Sequence, residues 1–388
     1  TGHTQVRGNR EITPEGQQPM REDTYTLGKL MKSAGYTTGI FGKWGLGNPG
    51  SVSIPNKMGF DEFYGYNCQR QSHSFYPDHL WHNEEKVLFP ENENNACKTY
   101  SQDLIHEQAL KFIRDHKEQP FFAMLTYTLP HAELNLPHDS IYKMYENSFE
   151  ETPYIGKFDK VYGGYNTSEK PLASFAAMVS RLDKYVGDVM AELKELGLDK
   201  NTIVIFTSDN GPWLTEHENG GSAGPLKDGK GTWWEGGFRV PAICWMPGKI
   251  NPAINDEIMT SMDLYPTFLS MAGIEQPKDL VLDGVNQTGL LFEEKHSARD
   301  EVYYWWGSEL MAIRKGEWKY YFKTIKDQYL RTCKIETPAE PLLYNVETDI
   351  SERFNQAEKH PEIVKLLIEA GEKHKKGMKI KPSVCDMM

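Results

Sequence analysis

The sequence predicts an α/β protein with a mostly parallel central sheet flanked by helices, followed by a small carboxyl-terminal antiparallel α+β subdomain. Short apolar runs rich in β-branched and aromatic residues alternate with longer segments of helical periodicity through most of the chain. Parallel strands need this alternation, because a crossover helix usually connects each pair. From about residue 295 the pattern changes to short alternating strands. We therefore predict a main domain over residues 1–294 and a subdomain over residues 295–388.

The elements of the main domain follow from periodicity and from helix-start signals. The first helix begins at a capping Asp23 or Thr24. Residues 48–100 and 132–168 read as irregular, and the second stretch is long enough to form a lid or pocket wall. The predicted helices are Thr24–Ala34, Gln102–His116, Leu172–Leu196 and Asp263–Ala272, and the predicted strands are Thr37–Phe41, Phe121–Tyr127, Thr202–Thr207 and Val240–Met246.

The longest helix has the clearest apolar stripe in the sequence, which indicates that this face packs into the core. In the subdomain, three short strands precede a final helix from Pro361 to about Lys376. The stripe consists of Phe175, Val179, Leu182, Val186, Val189 and Leu193, and the three strands are Val302–Trp306, Leu310–Arg314 and Trp318–Phe322.

Composition narrows the classes of protein. With 388 residues, 39% of them hydrophobic, the chain can bury a substantial core. The formal charge of −12, with no basic stretch to offset it, argues against a nucleic-acid partner. No apolar run is long enough to span a bilayer. Five cysteines, an odd number, exclude a disulfide scaffold, and we favour free thiols over the alternative of a Cys68–Cys97 bridge.

The most informative segment is Ile203-Val-Ile-Phe-Thr-Ser-Asp-Asn-Gly-Pro212, an apolar run that ends in an acid, an amide and a glycine. We interpret the run as a buried parallel strand. Ligands bind beyond the carboxyl ends of such strands, which is where Asp209 and Asn210 lie. Their oxygen atoms suit Ca²⁺ or Mg²⁺ rather than zinc. For this segment taken alone, an Asx turn capping the strand is the alternative.

Three more polar residues follow strands or stand among glycines. Lys43 lies on a glycine-bracketed turn after a strand, His131 follows the apolar run that begins at Phe121, and Lys230 stands between two glycines. Taken one at a time, each residue is as well explained as a solvated lysine or a loop histidine as by a functional role. Their occurrence together favours the functional role. We expect Lys43, His131 and the Asp209–Asn210 pair to meet at one edge of one sheet.

A candidate substrate wall lies in residues 69–82, which are rich in histidine and aromatic side chains. Such side chains stack on sugar rings and bond hydroxyl groups. We single out His73 as a speculative substrate contact. A packed irregular loop is an equal alternative.

Several of these segments together form a recognisable set, and they occur in a fixed order along essentially the whole chain. They are Gly42-Lys-Trp-Gly-Leu-Gly47, Pro130-His131, Ser208-Asp-Asn-Gly211, Gly229-Lys-Gly-Thr-Trp-Trp-Glu-Gly-Gly237, Thr26-Leu-Gly-Lys-Leu-Met-Lys-Ser-Ala-Gly-Tyr36 and Leu343-Tyr-Asn-Val-Glu-Thr-Asp349. With them the chain resembles the type I sulfatases of the alkaline phosphatase superfamily, above all bacterial enzymes similar to arylsulfatase A and N-acetylgalactosamine-6-sulfatase.

The resemblance implies an alkaline phosphatase-like fold and hydrolysis of a carbohydrate or aryl sulfate ester. It implies that Lys43 and Lys230 bind sulfate oxygens, and that His131 donates a hydrogen bond or proton to the leaving oxygen. It also implies that Asp209 and Asn210 bind Ca²⁺, with Mg²⁺ as the alternative. Two other functions stay open: hydrolysis of a phosphodiester or phosphonate ester, and binding of a sulfated glycan without catalysis. A periplasmic or secreted location is expected from the family.

Two parts of the family pattern do not occur in this sequence. Family members carry an amino-terminal strand with paired metal-binding aspartates, then a Cys/Ser-x-Pro/Ala-x-Arg signature whose first residue becomes formylglycine, the nucleophile. None of the five cysteines has this setting, and Thr1–Asn9 resembles the segment after the nucleophile helix. We therefore expect residues 1–294 to be a catalytic domain whose first strand and formylglycine segment lie outside this chain, and the chain alone to be inactive. A family histidine that orients formylglycine is replaced by Gly45, which leaves that role unassigned.

Overall fold

The computed structural model describes residues 11–12, 15–17, 19–156, 165–214, 219–278, 280–325 and 335–378. These residues form two compact units, one ending at Ile203 and the other beginning at Val204. The domain boundary between residues 294 and 295 stays a prediction. Within the described ranges, none of the helices combines the length and the apolar character needed to cross a membrane.

The first unit consists of a sheet with helices packed against it. Its helices are α1 (Leu27–Ser33), α2 (Ser101–Asp115), α3 (Ser140–Lys143) and α4 (Pro171–Glu195). Its strands are β1 (Glu11–Ile12), β2 (Gly16–Gln17), β3 (Thr37–Lys43), β4 (Glu62–Tyr66), β5 (His79–His82), β6 (Glu85–Leu88) and β7 (Phe121–Thr126).

Five of these strands form a mixed sheet in the order β6-β5-β4-β3-β7. Strand β3 runs parallel to both β4 and β7, whereas β4–β5 and β5–β6 are antiparallel pairs. Helices α1 and α2 pack on β3. The predicted α/β class is confirmed, but the reading of residues 48–100 as irregular missed β4, β5 and β6. The three strands have only four or five residues each, and Gly65 interrupts the apolar character of β4, so none of them shows a clear period.

Strand β3 lies at the centre of the core because both of its faces are covered. Phe41 is fully buried with its ring 5.3 Å from that of Phe112 on α2. On the opposite face, Ile40 packs in a second cluster with Phe60 and Phe63. A strand buried on both faces reads as a continuous apolar run, which explains why this strand was recognised in the sequence.

Helix α4 is present as predicted, and its buried face includes part of the apolar stripe. Val189 and Leu193 are buried, and Phe175 and Leu182 pack against a core cluster. Val179 is 45% exposed, whereas Ala177, Met178 and Arg181 are buried. The Arg181 guanidinium donates to the Asp103 carboxylate at 2.9 Å and also bonds Asp139. Arg181 lies on the face that packs into the core. A search for apolar residues at helical spacing does not find it, because arginine is polar.

The second unit contains a four-stranded antiparallel sheet, β10-β11-β12-β15, with α8 packed on β11 and β12. The predicted carboxyl-terminal sheet and helix are thereby confirmed. The helices of this unit are α5 (Glu235–Phe238), α6 (Leu264–Met271), α7 (Thr288–Phe292) and α8 (Pro361–Gly377). Its strands are β8 (Val204–Thr207), β9 (Ala242–Trp245), β10 (Glu301–Trp306), β11 (Glu309–Lys315), β12 (Trp318–Tyr321), β13 (Thr324–Ile325), β14 (Ile335–Glu336) and β15 (Leu342–Asn345).

The interpretation of β8 as a buried parallel strand is wrong. Among the described residues, β8 pairs only with β9, antiparallel, in a two-stranded sheet. Its side chains are at most half-buried. The expectation that Asp209 shares a sheet edge with Lys43 and His131 is therefore also wrong. An apolar, β-branched run indicates that a strand forms, but it carries no information about the direction of the neighbouring strand.

Candidate active site

Lys43 and His131 lie at the ends of neighbouring parallel strands. Lys43 is the last residue of β3, so its predicted place on a turn after the strand is wrong, and Gly42 lies opposite Thr126, the last residue of β7. His131 follows β7 by five residues, as predicted, so both residues stand at the edge where these two strands end. Gly42 has a φ of 125°, and a Cβ there would lie 2.1 Å from the Thr126 carbonyl oxygen. Only glycine allows the two strands to approach this closely.

His131 and His73 lie together, and a tyrosine joins them. The two imidazole rings stack with centroids 5.0 Å apart and planes inclined by 11°. The Tyr165 ring lies 5.8 Å from His73 and 5.9 Å from His131. Sequence reasoning missed Tyr165, which follows a long irregular stretch without a periodic signal.

A buried amide ties the loops that carry these two histidines. Gln102 is fully buried on α2, and its Nε2 donates to the Tyr66 hydroxyl at 3.1 Å. Its Oε1 accepts from the backbone N–H of Thr128 at 3.3 Å, three residues before His131. The Tyr66 hydroxyl in turn bonds the carbonyl of Ser74 at 2.9 Å, next to His73. The position of each loop is therefore coupled to the same helix.

A buried carboxyl group stands two residues beyond His131. Glu133 is fully buried and accepts hydrogen bonds from the backbone N–H groups of Asn135 (3.1 Å) and Asn166 (3.3 Å). The Asn166 side-chain amide adds bonds of 3.2 Å to both oxygens. Burial raises the pKa of Glu133 to about 7, although the hydrogen bonds from Asn166 and Asn135 oppose the shift. Glu133 thus links the His131 segment to the residue beside Tyr165.

In the second unit, Asp209 and Asn210 follow the end of β8 after one residue, Ser208. Asn210 Nδ2 donates to the carbonyl of Gly211 at 2.9 Å, which leaves Oδ1 as its ligand atom. Carboxylate and amide oxygens fit Ca²⁺ or Mg²⁺, the cations implied by the sequence. Within the described ranges, no group of three or more His, Cys, Asp and Glu side chains is arranged to hold a metal ion. The role of Asp209 and Asn210 as metal ligands stays a prediction.

The segment Gly229–Gly237, here called the glycine loop, packs its backbone against the turn that follows Asn210. The N–H of Gly211 donates to the Gly237 carbonyl at 3.1 Å, and the N–H of Lys230 donates to the Pro212 carbonyl at 2.8 Å. A Cβ on Gly211 would lie 1.7 Å from the Gly236 carbonyl oxygen. The glycines therefore permit two backbone segments to touch, and this contact brings Lys230 close enough to Asp209 for their charges to interact.

Lys230 has the electrostatic surroundings of an anion-binding lysine. Burial lowers its pKa, and the nearby Asp209 carboxylate partly offsets this effect. Its ammonium group lies 5.6 Å from the centre of the Trp213 ring. A half-buried ammonium interacts with an anion more strongly than one in bulk water, because the local dielectric is lower.

These features agree with a family comparison. The sulfatase family model matches residues 2–274, and the model for the C-terminal region of aryl-sulfatase matches residues 297–388. The chain belongs to the sulfatase family. The sulfatase match includes Lys43, His131, Asp209, Asn210 and Lys230, although the role of each stays a prediction.

Named sulfatases are among its relatives. The chain is 30% identical over 353 residues to the arylsulfatase of Hemicentrotus pulcherrimus, covering 85% of this chain and 58% of that protein. It is 32% identical over 321 residues to the N-acetylgalactosamine-6-sulfatase of Canis lupus familiaris, covering 78% of this chain and 55% of that protein. The chain thus spans little more than half the length of these relatives.

Solved structures agree on the fold. A structure from a study of glycosaminoglycan metabolism by Bacteroides thetaiotaomicron matches with a TM-score of 0.74 at 24% identity, covering 96% of this chain and 86% of that one. The protein i-CgsB in complex with k-i-k-neocarrahexaose matches with a TM-score of 0.73 at 26% identity, covering 92% and 75%. A phosphonate monoester hydrolase from Silicibacter pomeroyi matches with a TM-score of 0.61 at 18% identity, covering 97% and 84%, a likeness of fold alone.

Proposed function

We propose that this protein hydrolyses the sulfate ester of a carbohydrate, in a metal-assisted reaction with formylglycine as the nucleophile. The observation that carries the proposal is the sulfatase family match over residues 2–274. The N-acetylgalactosamine-6-sulfatase relative supports a sugar sulfate as the substrate class. By the same resemblance, the protein acts in the periplasm or outside the cell.

Each predicted residue has a chemical role that suits its surroundings. Lys230, half-buried near Asp209, neutralises charge on the sulfuryl oxygens. This electrostatic interaction is stronger in a water-poor site than at the protein surface. By the resemblance, Lys43 also contributes a positive charge that suits a sulfate oxygen.

His131 serves as the proton donor to the leaving oxygen, since imidazole exchanges protons near neutral pH. Its ring is held against His73 and Tyr165, which restricts the plane of the imidazole. Asp209 and Asn210 hold the cation through oxygen atoms. When bound, the metal polarises the sulfuryl group and formylglycine supplies the attacking oxygen.

Paired substrates test this function. The protein in its full natural length, matured for formylglycine, is assayed on 4-nitrophenyl sulfate, 4-nitrophenyl phosphate and a phosphonate ester, with N-acetylgalactosamine 6-sulfate as the sugar substrate. We expect kcat/KM to be highest for the sulfates. Preference for the phosphate or phosphonate ester would assign the protein to the second esterase function. Binding of the sugar sulfate without turnover of any ester would assign it to the glycan binders.

A further inference from the structure

The glycine loop is held by a group of buried charges from the carboxyl-terminal sheet, here called the anchor cluster. It consists of Glu235, Arg314, Lys319, Tyr321 and Glu352. The side chains of Lys319 and Glu352 have no exposed surface, and that of Glu235 is 2% exposed. Glu235 belongs to the loop itself, whereas the other four lie more than 75 residues further along the chain.

The cluster bonds the backbone of the loop as well as its own members. Lys319 Nζ donates to the Trp233 carbonyl at 2.7 Å and to Glu235 Oε1 at 2.8 Å. The backbone N–H of Glu235 donates to Glu352 Oε2 at 2.7 Å. Tyr321 donates its hydroxyl hydrogen to Glu352 as well. The Trp233 carbonyl and the Glu235 N–H are thereby held by buried side chains of the cluster.

Hydrogen bonds within the loop connect these contacts to the turn that contains Lys230. Thr232 closes a turn on the Gly229 carbonyl through its N–H (3.2 Å) and its hydroxyl (2.9 Å). On the other side, the N–H of Gly236 donates to the Lys227 carbonyl at 2.8 Å, and the Lys227 ammonium donates to the Glu352 carbonyl at 3.3 Å. The Lys230 turn is therefore enclosed by backbone that the anchor cluster holds at both ends.

Backbone conformation supplies an independent observation. Asp228 and Glu352 have φ values of 63° and 49°, in the left-handed region that residues other than glycine rarely occupy. Such residues cost about 1–3 kcal/mol and persist only where the surroundings over-determine them. One precedes the glycine loop, and the other belongs to the anchor cluster.

The charges of the cluster suit positioning better than general stabilisation. A buried ion pair is often no more stabilising than apolar residues of the same volume, because desolvation offsets the attraction. Removing one partner, however, leaves an unpaired buried charge. Burial alone would raise the pKa of Glu235, but Lys319 and Arg314 outweigh this effect and lower it, so that Glu235 remains ionised.

We propose that Lys319 and Glu352 are positioning residues that hold the glycine loop in the one conformation that places Lys230 beside Asp209. The proposal deepens the proposed function, because it concerns the lysine that binds the sulfate group. It assigns the carboxyl-terminal sheet a role in the site through the backbone of the loop, with no contact to substrate.

The test compares the anchor cluster with a second buried ion pair in the same unit. Arg299 and Asp263 are as deeply buried, with side chains 7% and 0% exposed, and Arg299 also donates to the carbonyls of Asp283 (2.7 Å) and Glu301 (2.9 Å). None of these partners belongs to the glycine loop. The variants are Lys319→Met, Glu352→Gln and the control Arg299→Met, each measured in the full-length protein.

Two readouts distinguish positioning from loss of stability. Hydrogen exchange of peptides covering residues 227–238 should accelerate about tenfold in Lys319→Met and Glu352→Gln, but not in Arg299→Met, because only the former open the loop. The rate of Lys230 acetylation at a fixed pH, followed by mass spectrometry, should rise in the same two variants as the opened loop exposes the lysine to the reagent. Lys319→Arg should restore both signals in part, since it keeps the charge.

If Lys319→Met does not fold, the double variant Lys319→Met/Glu352→Gln is measured in its place, because it removes one charge of each sign. Loop exchange and Lys230 acetylation that match those of Arg299→Met in every folded anchor variant would overturn the proposal. Neither readout depends on turnover. A protein that hydrolyses no sulfate ester would refute the proposed function while leaving this test intact.

Discussion

The His131 region and the glycine loop hold their key residues by opposite means. His131 is held by side chains: the rings of His73 and Tyr165, the Glu133 carboxyl group and, through Thr128, the Gln102 amide. Lys230 is held by backbone, through close contacts that only glycines allow.

The difference indicates how each region should respond to change. A site held by side chains loses contacts one at a time, so single substitutions should have graded effects. A site held by backbone has no side chain to trim, and substitutions there should act through steric conflict or through distant anchors. The predictions below test this contrast, beginning with the largest expected effect.

Replacing the residues proposed to bind the sulfate and to protonate the leaving oxygen, Lys230 and His131, should have the largest effect. In the full-length matured protein, Lys230→Ala should lower kcat about a hundredfold or more on both nitrophenyl and sugar sulfates, since sulfuryl charge is common to both reactions. His131→Ala should lower kcat far more on sugar sulfates, whose alcohols are poor leaving groups. Lys249→Ala, an exposed lysine of the second unit, is the control. Equal losses on both substrates for His131→Ala would recast His131 as a residue that only orients the substrate.

A single substitution where the backbone meets the glycine loop should cause the largest loss of stability. Gly211→Ala places a Cβ 1.7 Å from a carbonyl oxygen, and we expect the free energy of unfolding measured in urea to fall by on the order of 3 kcal/mol or more. Gly187→Ala in α4, where a Cβ meets nothing within 4 Å, should stabilise the protein by about 0.5–1 kcal/mol. A Gly211→Ala variant as stable as the wild type would show that the backbone contact is loose.

Glu133 should make stability depend on pH in the His131 region. Its pKa in the folded protein is about 7, against 4.5 for an ordinary glutamate. Between these values the folded protein keeps a proton that the unfolded chain has released. Stability therefore falls by about 3 kcal/mol as pH rises from 4.5 to 7, and this contribution levels off above pH 7.

Urea unfolding at several pH values measures this dependence. Glu133→Gln cannot titrate and should flatten the profile between pH 4.5 and 7, whereas the exposed control Glu118→Gln should retain it. Parallel profiles for wild type and Glu133→Gln would mean that Glu133 is ionised in the folded protein throughout this range.

Removing one ring from the His131 region should have the smallest effect. His73→Ala deletes a stacked imidazole but leaves Tyr165 and Gln102 in place, so we expect a loss of about 1 kcal/mol in sugar-sulfate binding, seen as a severalfold rise in KM with kcat little changed. His138→Ala removes a comparable stacked pair, with Tyr142 at 3.9 Å, and serves as the control. A large fall in kcat would show that His73 shares the chemical role of His131.

Parts of the fold that depend on local pattern were predictable from sequence. The carboxyl-terminal strands were predicted because antiparallel partners follow one another closely in the sequence. Strand β3 was predicted because residues on both of its faces are apolar. The direction of β8 was not, since strand pairing with β9 depends on a partner more than 30 residues away.

The candidate site divides in the same way. Lys43 and His131 stand out because they lie near strand ends beside glycine or proline, and Lys230 because it lies between two glycines. Glu133 and Lys319 gave no signal, because a buried charge resembles a surface charge until its partner is known. Lys319 and its partner Glu235 are 84 residues apart, and no local pattern connects them.

The contact between Gly211 and Gly236 limits which mutations can be accepted at these two positions during evolution. Every single-base missense change in a glycine codon introduces a residue with a Cβ atom, and the Cβ positions on Gly211 and Gly236 lie 1.7 Å and 2.1 Å from backbone oxygens. No neutral one-step route therefore leads away from either codon. The two segments that meet here should persist or be lost as a pair, while the loops around His131 remain free to vary residue by residue as substrates change.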